Sequence, residues 1–132
     1  YNIVNDDNEV TGQRIAREFN SLRSLITSCD IGLSTVMIKK SILNKKDLFP
    51  KLKTKEDFVF WINLVKKGHK IKSLNNNLTK WRKAKNSLSS STLQKLTDGY
   101  KLYRQYLGFS SFKSIVYLFL LSINFLKKRI ND

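Results

Sequence analysis

The stretch Lys55-Glu56-Asp57-Phe58-Val59-Phe60-Trp61 puts two adjacent carboxylates at the head of an apolar run. A carboxylate fixed where a helix begins can be aimed into a cleft, and the free amides and dipole there favour its ionised form. Asp57 is therefore a candidate proton acceptor at neutral pH, with Glu56 beside it. The same placement also suits a plainer role, with Thr54 as N-cap and Asp57 as its partner three residues on. Trp61 falls on the apolar face, where an indole is more often core than ligand platform. Trp81 can stack on a ligand ring or simply pack. Arg82, next to it, offers a guanidinium suited to phosphate oxygens or is an ordinary surface arginine.

Other reactive side chains are few. Cys29 is the only cysteine and His69 the only histidine, which excludes an internal disulfide framework and a multi-cysteine zinc site and fits a reducing compartment. Cys29 lies in an apolar-leaning stretch, residues 26–33, and reads as packing. The 25 Lys and Arg residues against 10 Asp and Glu give a net charge of +15, a field that attracts phosphates or an anionic membrane surface. Apart from Arg14, Arg17 and Arg23 the cations are spread from Lys39 to Arg129, so a solvated lysine-rich surface is the competing explanation.

The elements that must position these groups follow from local pattern. Residues 1–4 read as a strand, and Asn5, Asp6, Asp7, Asn8 and Glu9 before Gly12 supply the turn of a hairpin. Phe19, Leu22, Leu25 and Ile26 predict a short helix within residues 15–26. The β-branched run 33–38 predicts a buried strand, with a short helical turn from Ser41 and a loop over residues 51–55. Phe58, Trp61, Ile62 and Val65 share one helix face before Gly68 ends it. Residues 69–74 and 78–82 read as strands around a turn at 75–77. Leu93, Leu96, Tyr100, Tyr103 and Leu107 predict a second helix that contains Gly99. Residues 109–130 hold the densest apolar run, broken by Ser122 and Asn124 and closed by Lys127, Lys128 and Arg129. It falls short of the ~20 apolar residues of a spanning helix, so an amphipathic helix in the headgroup region is expected.

Taken in order, the acidic pair with a tryptophan one turn later, the Lys67-Gly68 stop, the Trp81-Arg82 pair and the loop Asn86-Ser87-Leu88-Ser89-Ser90 form a recognisable set. It resembles the C-terminal part of family 2 glycosyltransferases, and Ser28-Cys29-Asp30-Ile31-Gly32 through Lys39-Lys40 looks like that family's strand toward the acceptor side. The resemblance covers roughly residues 1–90 and implies an α/β fold, the C-terminal part of a GT-A (Rossmann-like) domain followed by helices. Residues 1–90 would be the acceptor-side part of the catalytic domain, 91–108 a helix packed on it, and 109–132 a basic membrane-associating helix.

By the same resemblance, the reaction is an inverting transfer from a nucleotide-sugar donor to a saccharide or lipid-linked acceptor hydroxyl, in surface polysaccharide synthesis at the cytoplasmic face of a membrane. Asp57 would take the acceptor proton, with Glu56, Trp61, Trp81 and Arg82 contacting substrate and Arg82 near the donor phosphates. A divalent metal, Mg or Mn, is expected for the full-length enzyme, with ligands outside this chain. Asp6-Asp7 is not its Asp-X-Asp motif, which precedes the region resembled here. The chain opens at Tyr1 within a strand, so a fragment is expected, inactive without the missing N-terminal half and with exposed strand edges prone to self-association. The rival reading is a basic nucleic-acid-binding module with Trp81, Tyr100, Tyr103 and Tyr106 as stacking residues. It lacks zinc spacing, an RNP-like run, a GXXG loop or a recognition helix. A non-catalytic remnant of the same fold is the third reading.

Overall fold

The hairpin forms as the turn chemistry predicts. Strand β1 (Asn2–Val4) pairs antiparallel with β2 (Val10–Gln13), Asn2 facing Gln13 and Val4 facing Val10, with a register slip between Ile3 and Val4. Asn5 organises the turn, its Oδ1 accepting from the amides of Asp7 at 3.0 Å and Glu9 at 2.9 Å, while Asn8 takes the left-handed conformation (φ 63°) that asparagine tolerates. Strand β3 (Lys80–Arg82) joins β1 in parallel, giving the order β2-β1-β3. The fold is thus mixed α/β with a small sheet. This computed structural model describes residues 1–19, 21–44, 49–84 and 91–131, with side chains of the last helix as far as Lys128.

Helix α1 (Leu22–Thr27) is shorter than the expected 15–26 span. Ser21 caps it, its Oγ accepting from the Ser24 amide at 3.2 Å. Phe19 instead enters the core from extended chain, its amide donating to the Ile71 carbonyl at 3.2 Å in a single antiparallel bridge. That bridge is all that forms of the strand expected over 69–74. The buried strand expected at 33–38 is also absent. Leu33–Thr35 makes a 3-10 turn in which the Thr35 hydroxyl donates to the Gly32 carbonyl at 2.7 Å, and Met37 is 98% exposed. Local hydroxyl bonding and the lack of a neighbouring strand to pair with outweigh the β-branched composition. A second 3-10 turn, Lys40–Ile42, stands where the helical turn near Ser41 is expected.

Helix α2 (Glu56–Lys66) is the centre of the core, with Phe58, Val59, Phe60, Trp61, Ile62 and Leu64 all buried. Apolar residues around nearly the whole helix leave it no solvent face along most of its length. Gly68, at φ +85°, stops it as predicted: its amide donates to Val65 and that of His69 to Leu64, the paired bonds of a Schellman cap.

Helix α3 (Thr92–Lys101) starts at the Ser91 cap and runs into a π-helical turn, Leu102–Tyr106, before Gly108 reverses the chain at φ +69°. Its buried side is Asp98, Gly99, Leu102 and Tyr103 rather than the Leu93, Leu96 and Tyr100 seam, and both leucines are exposed. Tyr103 and Leu107 of the expected seam do reach the core. Helix α4 (Ser111–Asn131) folds back on α3 and α1. Tyr103, Phe109 and Tyr117 stack with ring centres 5.0 to 6.3 Å apart, and the Tyr103 hydroxyl donates to the Ile26 carbonyl at 2.6 Å.

The far end of α4 is fastened by polar contacts. Asn124 Nδ2 donates to the Thr27 carbonyl at 2.9 Å, Lys128 pairs with the buried carboxylate of Asp30, and Arg17 Nε donates to the other Asp30 oxygen at 2.7 Å. Removing one member of a buried ionic group leaves the others uncompensated, which costs about 3–5 kcal/mol. Asp30→Ala is therefore expected to lower the unfolding free energy obtained from urea titration by an amount in that range, whereas Glu18→Ala, exposed nearby, should change stability by less than about 0.5 kcal/mol.

Candidate functional site

The acidic pair lies where the central helix meets solvent. Thr54 is buried, and Asp98 Oδ2 accepts from both its amide, at 2.8 Å, and its hydroxyl, at 3.0 Å. Lys55 then takes the N-cap position in the left-handed conformation (φ 65°) without a side-chain cap, and α2 begins at Glu56. The capping pair of Thr54 and Asp57 does not form, because the helix starts one residue later than a Thr54 cap requires, with Lys55 at the N-cap, while the Thr54 hydroxyl donates to Asp98. Asp57 Oδ1 instead accepts from the next amide, that of Phe58, at 2.7 Å. Glu56 and Asp57 are both half-buried.

Burial pushes the Asp57 carboxyl above its ordinary range, and the neighbouring Glu56 adds to the rise. The Phe58 amide and Lys55 oppose it without reversing it. Desolvation thus works against the helix terminus, which favours the ionised form. Burial lowers the Lys55 ammonium, while Cys29, Asp57 and Asp98 pull it back. Cys29 is within electrostatic reach of Asp57 and Lys55, yet burial drives its thiol up to about 12, so it stays protonated and unreactive at neutral pH. This agrees with its reading as packing.

The remaining site candidates lie apart. Trp61 is 2% exposed and packs edge-on to Phe60 at 5.1 Å, the place of a core residue, and its Nε1 has no hydrogen-bond partner among the described residues. Trp81 and Arg82 stand exposed on β3, and Arg82 Nη2 donates to Asn8 Oδ1 in the hairpin turn at 2.8 Å. No described hydrogen bond joins either to the acidic pair. The loop 86–90 lies outside the described residues. Among the described residues, a surface cavity of about 500 Å³ lies between Trp61, Ile38, Ile71 and Asn75, and another of about 670 Å³ between Arg14, Arg17, Asp30 and Lys128. Asp57 lines neither. Among the described residues no three His, Cys, Asp or Glu side chains converge as a metal site.

Asp30 and Asp98 are the structurally decisive acids that the sequence reading does not single out. Asp98 carried one signal, an acid on the turn that also holds Gly99, where the helix makes its closest approach: a Cβ there would lie 2.7 Å from Leu118 Cδ1. Asp30 carried none, since its partners Arg17 and Lys128 are 13 and 98 residues away.

Over 98 residues the chain is 30% identical to UDP-Glc:alpha-D-GlcNAc-diphosphoundecaprenol beta-1,3-glucosyltransferase WfgD of Escherichia coli. The match takes in 73% of this chain and 37% of that protein, so the chain spans well under half of the relative's length. No family model and no solved structure matches. The chain is similar to a glycosyltransferase, which supports a role of that general class.

The sign of the Asp57 shift is testable. A carboxyl raised in the native state binds its proton more tightly there than in the unfolded chain, so stability falls as pH climbs from the ordinary aspartate range, about 4, through the native value. Asp57→Asn removes that penalty while its side-chain oxygen still accepts from Phe58. The variant should melt above the parent at pH 7, with the difference closing toward pH ~4. A lower melting temperature at pH 7 would instead identify Asp57 as a stabilising cap.

Proposed function

We propose that the chain is the acceptor-side, C-terminal part of the catalytic domain of a family 2 glycosyltransferase with a GT-A type fold, and that Asp57 is the base of an inverting transfer. The observation that carries this reading is a half-buried carboxylate at the mouth of the central helix, its proton affinity raised by desolvation and an acidic neighbour. The similarity to a glucosyltransferase gives that carboxylate a reaction to serve.

In the proposed step the acceptor hydroxyl passes its proton to an Asp57 oxygen as its own oxygen bonds to the anomeric carbon. The bond from that carbon to the donor diphosphate breaks on the opposite face. A base whose proton affinity is raised toward the working pH is more effective than an ordinary aspartate. Glu56 holds the acceptor or orients Asp57. Arg82 offsets the charge gathering on the departing diphosphate and Trp81 stacks on a sugar ring, both from the exposed β3. Trp61 supports the helix from the core. The donor is a nucleotide sugar and the acceptor a saccharide or lipid-linked saccharide, as in the WfgD name, in a surface-polysaccharide pathway at the cytoplasmic face of a membrane.

A divalent cation is expected beside the donor diphosphate, with ligands beyond this chain, and no step above runs through it. Turnover would likewise need the donor-binding half of the domain. In the full-length protein, Asp57→Asn should lower kcat by about 10²–10⁴-fold, with nucleotide-sugar affinity measured by calorimetry unchanged. Turnover within a few fold of the parent would remove Asp57 from the mechanism.

A further inference from the structure

Helix α4 has two apolar sides, and only one is used by the fold. Ser114, Tyr117, Leu121, Asn124 and Lys128 face α1 and the α3 region. At 100° per residue, Phe112, Ile115, Val116, Phe119, Ile123 and Leu126 fall on the opposite arc. Phe112 is 79% and Phe119 65% exposed, and the stripe runs for roughly 20 Å of helix. A contiguous apolar stripe of this length on a surface marks an interaction site.

Charge indicates what covers it. From Gly99 to Asn131 the chain carries Lys101, Arg104, Lys113, Lys127, Lys128 and Arg129, and neither Asp nor Glu. Lys128 is committed to Asp30, and the Lys113 ammonium sits 4.1 Å from the centre of the Phe109 ring. Lys127 is exposed beside Leu126 at the end of the stripe, and Lys101 and Arg104 are exposed on the preceding element. A surface that is apolar at depth and anionic at its margin matches this arrangement, and a bilayer with acidic headgroups has both properties. No helix of the described residues is long and apolar enough to cross a membrane.

We propose that α4 lies in the plane of an anionic bilayer, its outward stripe sunk to the depth of the upper acyl chains and its cations at the level of the phosphates. The inference goes beyond glycosyl transfer and does not rest on Asp57. Because the inward side of α4 is fastened to α1 through Asn124 and to Asp30, just after α1, through Lys128, and α1 packs on α2, the helix is a rigid seat rather than a tether. Seating it fixes the orientation of α2, and with it the acidic pair, relative to the lipid surface.

The test is sedimentation of the full-length protein with vesicles of equal parts phosphatidylglycerol and phosphatidylcholine, against phosphatidylcholine alone. The variants are Phe119→Asp and, as a control, Met37→Asp, exposed on the segment after the Leu33–Thr35 turn. Both positions are exposed, and unchanged melting temperatures would verify the fold. Expected are binding to the anionic vesicles that weakens with salt, a loss of about tenfold or more in Phe119→Asp, and no loss in Met37→Asp. Equal binding by Phe119→Asp and the parent would overturn the proposal, as would equal affinity for both vesicle types. So would absence of vesicle binding, whether the protein is a monomer or forms a dimer that Phe119→Asp dissolves, the latter placing a second copy on the stripe.

Discussion

The hydrogen bonds from Thr54 to Asp98 set the position of nearly everything that bears on the site. The two residues are 44 apart in sequence, and both are buried. A buried carboxylate is tolerated only when its charge is answered by donors. Although burial pushes Asp98 up, the Gln94 side chain and the amide and hydroxyl of Thr54 outweigh it and hold the carboxyl below its usual range. With Thr54 pinned in this way, Lys55 turns into the left-handed region and α2 can begin only at Glu56. The mouth of the central helix is therefore defined by a helix more than thirty residues downstream. Gly99 makes the approach possible, because a Cβ there would meet Leu118 at 2.7 Å and the Lys55 stem at 3.4 Å.

A second constraint acts at the other end of the helical layer. Asp30 follows α1 and answers to Arg17 before that helix and to Lys128 near the end of α4. Such a group adds little net stability relative to an apolar packing, yet it is costly to break and fixes which surfaces meet. Here it decides which side of α4 faces inward. Both sides of the helix are apolar enough to pack, so hydrophobicity alone leaves the rotation about its axis undetermined. The polar contacts of Asn124 and Lys128 select one side and leave the Phe112 to Leu126 stripe outward.

How much was legible in the sequence follows from how local each determinant is. The hairpin was readable because Asn5 and Asn8 fold their own turn, and the end of α2 because Gly68 supplies the conformation its cap requires. Both signals act within a few residues. The run at 33–38 misled because β-branched composition describes a fit to a neighbouring strand, and none lies beside it among the described residues. The α3 seam misled because the inward side is set by Asp98 against Thr54 and Gly99 against Leu118, which leaves Leu93 and Leu96 outward. Type and spacing put the acidic pair at the head of α2, where it lies, but not its environment, since a Thr54 cap was expected and the helix begins one residue later, with Thr54 donating to Asp98.

That exchange of partners changes the meaning of Asp57. Had Thr54 and Asp57 formed the expected cap, the carboxylate would be stabilised as an anion and would strengthen the start of the helix. Deprived of that partner, it keeps the Phe58 amide, sits half-buried beside Glu56, and is raised in proton affinity despite lying at the favourable end of a helix dipole. The fold therefore bears a cost at this position when the group is ionised, and the cost comes from the same desolvation and like charge that make a carboxylate a stronger base. The long-range bond of Asp98 thus holds Thr54 outside the helix and leaves the Asp57 carboxylate with the Phe58 amide, beside Glu56.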